Sequence, residues 1–250
     1  MRKQLVVPEK KLKNARRRLP GRPNKDEADG AEMLLRAAQG SFALSGFKAA
    51  SMREIAQAAG VHHALITHRF GSKEKLWVAV MDRLHAYLEP FIRDLECLQE
   101  SSQTTMEGRL KAAFRISVAA VCGEPDCGML LSRIASERGE PFDVLVEKLL
   151  RPLHDAFCPL LEEAMEVGTV AQQDSEMLSF MIFNAVTSSI SGRHILGYFD
   201  ARPRGMEKIG EDIVQFLVLN IIRTNAHDAR TTGNSTRYVD PTSSENQSAT

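Results

Sequence analysis

Apolar residues recur at three- and four-residue spacing almost without a break from about residue 26 to residue 225. Nowhere in that stretch do they alternate as a half-buried strand requires, and no internal repeat is present. Stripes of this kind are buried only by packing helix on helix, so the expected fold class is all-α. Helix boundaries are written into the same stretch. Asp29 with Glu32, and Ser51 with Glu54, have the spacing of capping boxes. After the first, Leu34, Ala38, Ser41, Phe42 and Ser45 share a face, and Gly46 stops the helix. After the second, Met52, Ile55, Ala56 and Ala59 face inward, Gly60 supplies a turn, and a short third helix runs to about Arg69. Ser72 caps a long fourth helix with Leu76, Val80, Leu84 and Leu88 on its inner face, and Pro90 should kink or restart it. Further amphipathic helices are expected near 105–122, 127–137, 142–167, 174–197 and 205–224, with Pro152 and Pro159 bending the third.

The two ends differ from this body. Residues 1–25 carry ten basic residues and one acid, a charge of +9. The chain as a whole balances 32 basic against 32 acidic residues, so everything after the arm carries −9. Pro8, Pro20, Gly21 and Pro23 break any helix there, and the segment reads as a flexible basic arm. From about Ala226 the residues are mostly Thr, Ser, Asn and Gly, the composition of a disordered tail. Between the ends, a chain 43% apolar and 26% charged supports a packed core. The longest uncharged stretch, Met177 to Gly192, is diluted by Ser, Thr and Asn and falls short of the ~18–20 apolar residues of a membrane span. The start of the chain lacks the apolar region of a signal peptide. Cys97, Cys122, Cys127 and Cys158 lack C-x-x-C spacing, so reduced thiols, a cytoplasmic location and no membrane association are expected.

Residues 51–70, SMREIAQAAGVHHALITHRF, have the shape of a helix-turn-helix: two helical turns, a glycine corner and a second short helix. At 100° per residue, Leu65, Ile66 and Arg69 cluster with His62 on one side of the second helix. His63, Ala64, Thr67 and His68 lie on the other. The first side should pack, leaving the second free to enter a major groove. Its small or polar side chains suit close approach to base edges.

With these residues in view, the chain resembles the tetracycline-repressor (TetR) family of transcriptional regulators over roughly residues 28–80. The resemblance rests on three blocks in order: Ala38 to Phe47 (A-x-x-x-F-A-L-S-G-F), Ser51 to Val61 (S-M-R-E-I-A-Q-A-A-G-V) and Phe70 to Trp77 (F-G-S-K-E-K-L-W). It implies an N-terminal three-helix DNA-binding domain and a C-terminal helical ligand-binding and dimerisation domain. The parts would be the arm at 1–25, the DNA-binding domain at 26–75, the effector and dimer domain at 76–225, and the tail at 226–250. It implies a homodimer on a double-stranded DNA operator, with half-sites roughly 34–36 Å apart. A small-molecule effector would release it by separating the two recognition helices.

The same resemblance assigns roles. Ser51 and Lys73 would contact phosphate, His63 and Ala64 would read bases, and Thr67 and His68 would meet the backbone. Four positions depart from the family pattern, one of them Arg69, which falls on the inward face where members favour His or Tyr. Thr67 and His68 stand where members often carry tyrosine, and His62 replaces a Ser or Thr cap although histidine is a poor N-cap. Arg22 lies within Pro20-Gly21-Arg22-Pro23, which resembles the centre of an AT-hook, a minor-groove element.

Other features have plainer readings beside these. His62, His63 and His68 are spaced by one, five and six residues rather than the i, i+4 of helical metal pairs, so no metal and no cofactor is expected. Their charge would make operator binding weaken as pH rises. The cysteines could sense redox, with Cys122 and Cys127 close across a turn, or could be small buried hydrophobes. Met165, Met177, Phe180, Met181 and Phe183 could line an effector pocket or fill the core. Asn184 to Gly192, rich in small residues, suits a dimer seam built from the last two long helices, or an ordinary buried helix. The alternative function is a helical small-molecule-binding protein or enzyme with a vestigial DNA-binding head. No nucleophile elbow, H-E-x-x-H or phosphate-cradling loop supports catalysis.

Overall fold

A computed structural model describes residues 25–102, 104–199 and 204–223. The arm with Arg22 and the C-terminal tail lie outside the described residues. The rest is helical: α1 (Lys25–Ala49), α2 (Met52–Ala58), α3 (His63–Phe70), α4 (Lys73–Glu100), α5 (Met106–Gly123), α6 (Asp126–Ala135), α7 (Glu140–Leu145), a π-helical segment (Val146–Leu150), α8 (Arg151–Glu166), α9 (Ser175–Ser191), α10 (Arg193–Phe199) and α11 (Met206–Ile221). Among the described residues the sole β feature is one antiparallel bridge between Val170 and Ile222. No described helix is long and apolar enough to cross a membrane.

The caps form as their chemistry dictates. Ser51 Oγ accepts from the Glu54 N–H at 3.1 Å, and Ser72 Oγ accepts from the Lys75 N–H at 3.3 Å. The Asp29 box does not mark a boundary, because α1 begins at Lys25 and runs through it. Glu32 is used for tertiary contacts instead, pairing with Arg36 and Arg83 at 2.8 Å each. Gly46 interrupts α1 as expected, with φ of 82°. Pro90 neither stops nor restarts α4. Gly192 breaks the expected 174–197 helix into α9 and α10.

The π-helical segment has a local cause. Pro152 has no N–H to give the carbonyl four residues back, which belongs to Lys148. His85 Nδ1 meets that carbonyl at 2.8 Å, so α4 supplies the donor that the proline lacks.

Helix α4 is the spine. Leu76, Trp77, Val80, Met81, Leu84, Leu88, Ile92 and Leu95 form its buried stripe. Trp77 meets Phe42 edge-on at 5.1 Å and Phe47 at 5.7 Å, fixing α4 to α1. Its indole N–H donates to the Pro141 carbonyl at 3.1 Å. A polar network ties the same helices together: Arg83 donates to Glu124 at 2.7 Å, Glu32 at 2.8 Å and Gln39 at 2.7 Å. Gln39 and Glu124 are themselves buried. In this way α1 is anchored to α4 and to the α5–α6 corner.

Candidate nucleic-acid interface

Helix α3 is held to the body through a narrow contact. Ile66 is fully buried and Phe70 half-buried, while the six residues His63, Ala64, Leu65, Thr67, His68 and Arg69 are exposed. The presented face is wider than helical angles suggested. Leu65 and Arg69, read as inward, face out, with Leu65 51% exposed. One apolar anchor therefore leaves most of the helix circumference available to a groove. Leu65 adds what sequence reasoning missed: an apolar side chain of the kind that contacts thymine methyl groups. Its exposure follows from α3 touching the body along one edge, which periodicity alone does not show.

Of the sequence-chosen residues, His62 caps α3, His63, Ala64, Thr67 and His68 lie on it, Ser51 caps α2 and Lys73 opens α4. His62 serves as the N-cap of α3, its Nδ1 accepting from the Ala64 N–H at 3.3 Å. His63 and Ala64 occupy the first turn, where residues reach furthest into a groove. Thr67 Oγ1 already donates to the His63 carbonyl at 3.1 Å, and so offers only lone pairs outward. Ser51 uses a lone pair in its cap and keeps its hydroxyl proton for donation.

Lys73 is bound internally. Its ammonium donates to the Lys48 and Ala50 carbonyls at 3.1 Å each and lies 4.8 Å above the Phe47 ring. Two of its three donors are thus spent at the C-terminal end of α1, and one remains.

Helix α3 packs against α2 and α4, and the end of α1 that leads into α2 is held in turn by α6. Arg133 of α6 donates to the Ser45 carbonyl at 3.4 Å, and Glu137 just beyond α6 accepts from the Lys48 N–H at 3.1 Å. Both straddle the Gly46 kink. A Cβ at Gly46 would run into Glu137 Oε1, the end of a side chain that can give way, so the positive φ is the firmer demand for glycine.

The five residues suggested for an effector pocket do not converge. Met165 is buried in the core on α8, and Phe183 is half-buried. Met177, Phe180 and Met181 are 57–63% exposed on one outer face of α9. Phe216 and Leu219 are exposed in the same way on α11, which packs beside α9. A groove beside them runs between α9, α10 and α11, lined by Ala185, Ser188, Ile195, Ile209 and Phe216, with Arg204 and Asp212 paired at its rim.

All four cysteines are free thiols. Burial, then the Glu124 and Asp126 carboxylates, push the Cys127 thiol up to about 12, and burial also raises Cys122. Thiolate is scarce at both, which suits inert packing better than redox sensing.

Residues 34–80 match the family model described as bacterial regulatory proteins, tetR family. No curated protein matches the chain. Solved structures resemble the fold. HlyIIR, a hemolysin II transcriptional regulator, is 17% identical with a TM-score of 0.59, over 79% of this chain and 99% of that one. The ketosteroid transcriptional regulator KstR2 of Mycobacterium tuberculosis is 20% identical with a TM-score of 0.59, over 78% and 96%. The transcriptional regulator FadR from Bacillus subtilis, solved with stearoyl-CoA, is 16% identical with a TM-score of 0.55, over 76% and 99%.

Proposed function

We propose that the chain, whose residues 34–80 match the model of the tetR family of bacterial regulatory proteins, is a DNA-binding transcriptional regulator of that family and acts in the cytoplasm as a homodimeric repressor released from its operator by a small molecule. The observation that carries the reading is α3: six exposed residues out of eight, on a short helix with one buried anchor. Two such helices, one per subunit, would enter successive major grooves about one duplex turn apart. His63, Ala64 and Leu65 face the base edges. Ser51, His62, His68 and Lys73 serve the flanking phosphates, and the arm with Arg22 reaches the adjacent minor groove.

The outer face of α9 and α11 supports the dimer. Met177, Phe180 and Met181 recur at helical spacing, and with Phe216 and Leu219 they leave an apolar patch in water that a second copy would cover. These residues are assigned to the seam rather than to an effector site.

Release needs two states that the effector distinguishes, since equal affinity for both shifts nothing. The contacts of Arg133 and Glu137 with the Gly46 kink offer the path. A shift of α6 drags the end of α1, and α2 and α3 follow it through Ser51.

The test is a gel shift with DNA from upstream of the protein's own gene against shuffled DNA of equal length, across a salt series. Preference for the natural DNA is expected, and His63→Ala should change which bases are preferred. Equal affinity for both DNAs at every salt concentration would overturn the reading.

A further inference from the structure

Far from α3, helix α8 places His154 and Cys158 one turn apart on a single face, and the first turn of α9 brings Glu176 across to them. One ligand atom from each residue lies within 4.8 Å of the other two, and His154 Nε2 meets Glu176 Oε2 at 2.6 Å. Surface His–carboxylate pairs are common, but two features set this one apart. Cys158 is buried beneath the pair, 3% exposed, and gives the cluster a soft sulfur floor. The second ring nitrogen, His154 Nδ1, meets Asp155 Oδ1 at 3.0 Å. A carboxylate on the far nitrogen is the outer partner that orients metal-bound imidazoles and sets their tautomer.

We propose that His154 Nε2, Cys158 Sγ and the Glu176 carboxylate bind one divalent transition-metal ion of the zinc class, with Asp155 orienting the imidazole and water completing the tetrahedron. The donor set selects the ion. Thiolate and imidazole disfavour Mg²⁺ and Ca²⁺, whereas one nitrogen, one sulfur and one oxygen suit Zn²⁺ and Co²⁺. Ligand atoms around such an ion stand roughly 3–4 Å apart, so the widest separation closes by about 1 Å through side-chain rotation. The surroundings draw a dication: Asp155 and Glu162 on α8, and Asp174 and Glu176 at the start of α9, outnumber the single imidazole. Ser175 donates to Glu162 at 3.0 Å, which holds that carboxylate beside the group rather than in it. The ion would tie α8 to α9, the helix that carries the exposed apolar face, and the site stands independently of how DNA is read.

Binding must displace protons. Both nitrogens of His154 face carboxylates. Its hydrogen bond to Asp155, followed by the bond and charge of Glu176, outweighs burial and holds the ring above the ordinary histidine range. Burial raises the Cys158 thiol, against a hydrogen bond with Ser175, and the Glu176, Glu162 and Asp174 charges add to the rise. Metal entry therefore releases one proton from Nε2 and one from Sγ.

The experiment is a Co²⁺ titration of the full chain, stripped with chelator and kept reduced. One Co²⁺ per chain is expected, with a thiolate-to-cobalt charge-transfer band and the strong visible bands of four-coordination, both lost on adding Zn²⁺. Cys158→Ser should abolish the charge-transfer band, and Cys97→Ser should leave it. His154→Ala and Glu176→Gln change a half-buried and an exposed side chain and keep the fold testable by circular dichroism. Each should weaken cobalt at least tenfold, and Asp155→Asn should weaken it about 10–100-fold. Weak six-coordinate bands without charge transfer would overturn the proposal. So would a charge-transfer band that survives Cys158→Ser, or one unchanged by both His154→Ala and Glu176→Gln.

Discussion

Lys73 resolves a conflict created by its own position. A cation in the first turn of a helix opposes the macrodipole. The side chain turns back to the carbonyls of Lys48 and Ala50, at the end of α1 where the dipole is negative, and packs over Phe47. The charge still lies beside the helix-turn-helix, and one donor is left for phosphate. Lys73→Ala should therefore act twice. It should lower the slope of log K against log salt by about one and weaken all DNA sequences alike. It should also cost roughly 1–2 kcal/mol of stability in urea unfolding. An unchanged salt slope with lowered stability would leave Lys73 only its internal role. Gly46 is constrained from two directions. Gly46→Ala meets a backbone at φ 82° and ψ 169° that is essentially reserved for glycine, at about 1–3 kcal/mol, and its methyl runs into Glu137 Oε1. The clash should loosen α6 from α1, and Glu137→Ala in the same chain should relieve part of the loss in thermal unfolding. No relief would mean that the backbone alone carries the cost.

Arg83 does at the level of elements what Lys73 does locally, joining α1 to α4 and to the α5–α6 corner. Burial alone would raise the Glu32 carboxyl. The hydrogen bond and charge of Arg83, then those of Arg36, outweigh it and hold Glu32 below 4.5. A carboxylate depressed on folding adds stability above its unfolded range and gives it up as pH falls through the folded value. Arg83→Gln should thus cost stability at neutral pH, at most about 3–5 kcal/mol, because the buried Glu124 then keeps only its longer contacts with Arg36 at 3.5 Å and Gln39 at 3.3 Å. The loss on acidification below about pH 5 should also become shallower. An unchanged acid limb in urea unfolding at stepped pH would contradict the assignment. The network also shows what sequence reveals. Helices α2, α4, α5 and α9 are legible because Ser51, Ser72, Thr105 and Asp174 cap them and their apolar residues keep period. The start of α1 is not, because Glu32 has the spacing of a capping partner while its real partner lies 51 residues away. Likewise, His154 and Cys158 at i, i+4 are visible in the sequence, but Glu176 joins them only once α8 and α9 pack. The outward direction of Met177, Phe180 and Met181 is equally hidden, because an apolar stripe reads the same whether it faces a core or a second subunit.

At the scale of the molecule, two surfaces of opposite character lie at different places. The α9–α11 face is apolar, and Phe180→Asp with Met181→Asp should convert a dimer to a monomer in light scattering while leaving helical content intact. A persistent dimer would put the seam elsewhere. Charge is divided as sharply. The chain sums to zero only because +9 in residues 1–25 cancels −9 in everything after them. An acidic body gains little from a phosphate backbone, so the electrostatic drive must come from the arm and the few cations around α3. Each phosphate neutralised contributes about 0.9 to the salt slope. Deleting residues 1–24 should therefore remove several units of slope and much of the affinity for shuffled DNA. Base preference should survive at the positions read by His63 and Ala64, because phosphate contacts position a protein and base contacts specify its site. Preference should fall only at A·T positions flanking the half-sites, where Arg22 would lie in the minor groove. A truncated chain with full slope would place the electrostatics on the body. A slope lost together with all sequence preference would make the arm, rather than α3, the element that reads DNA.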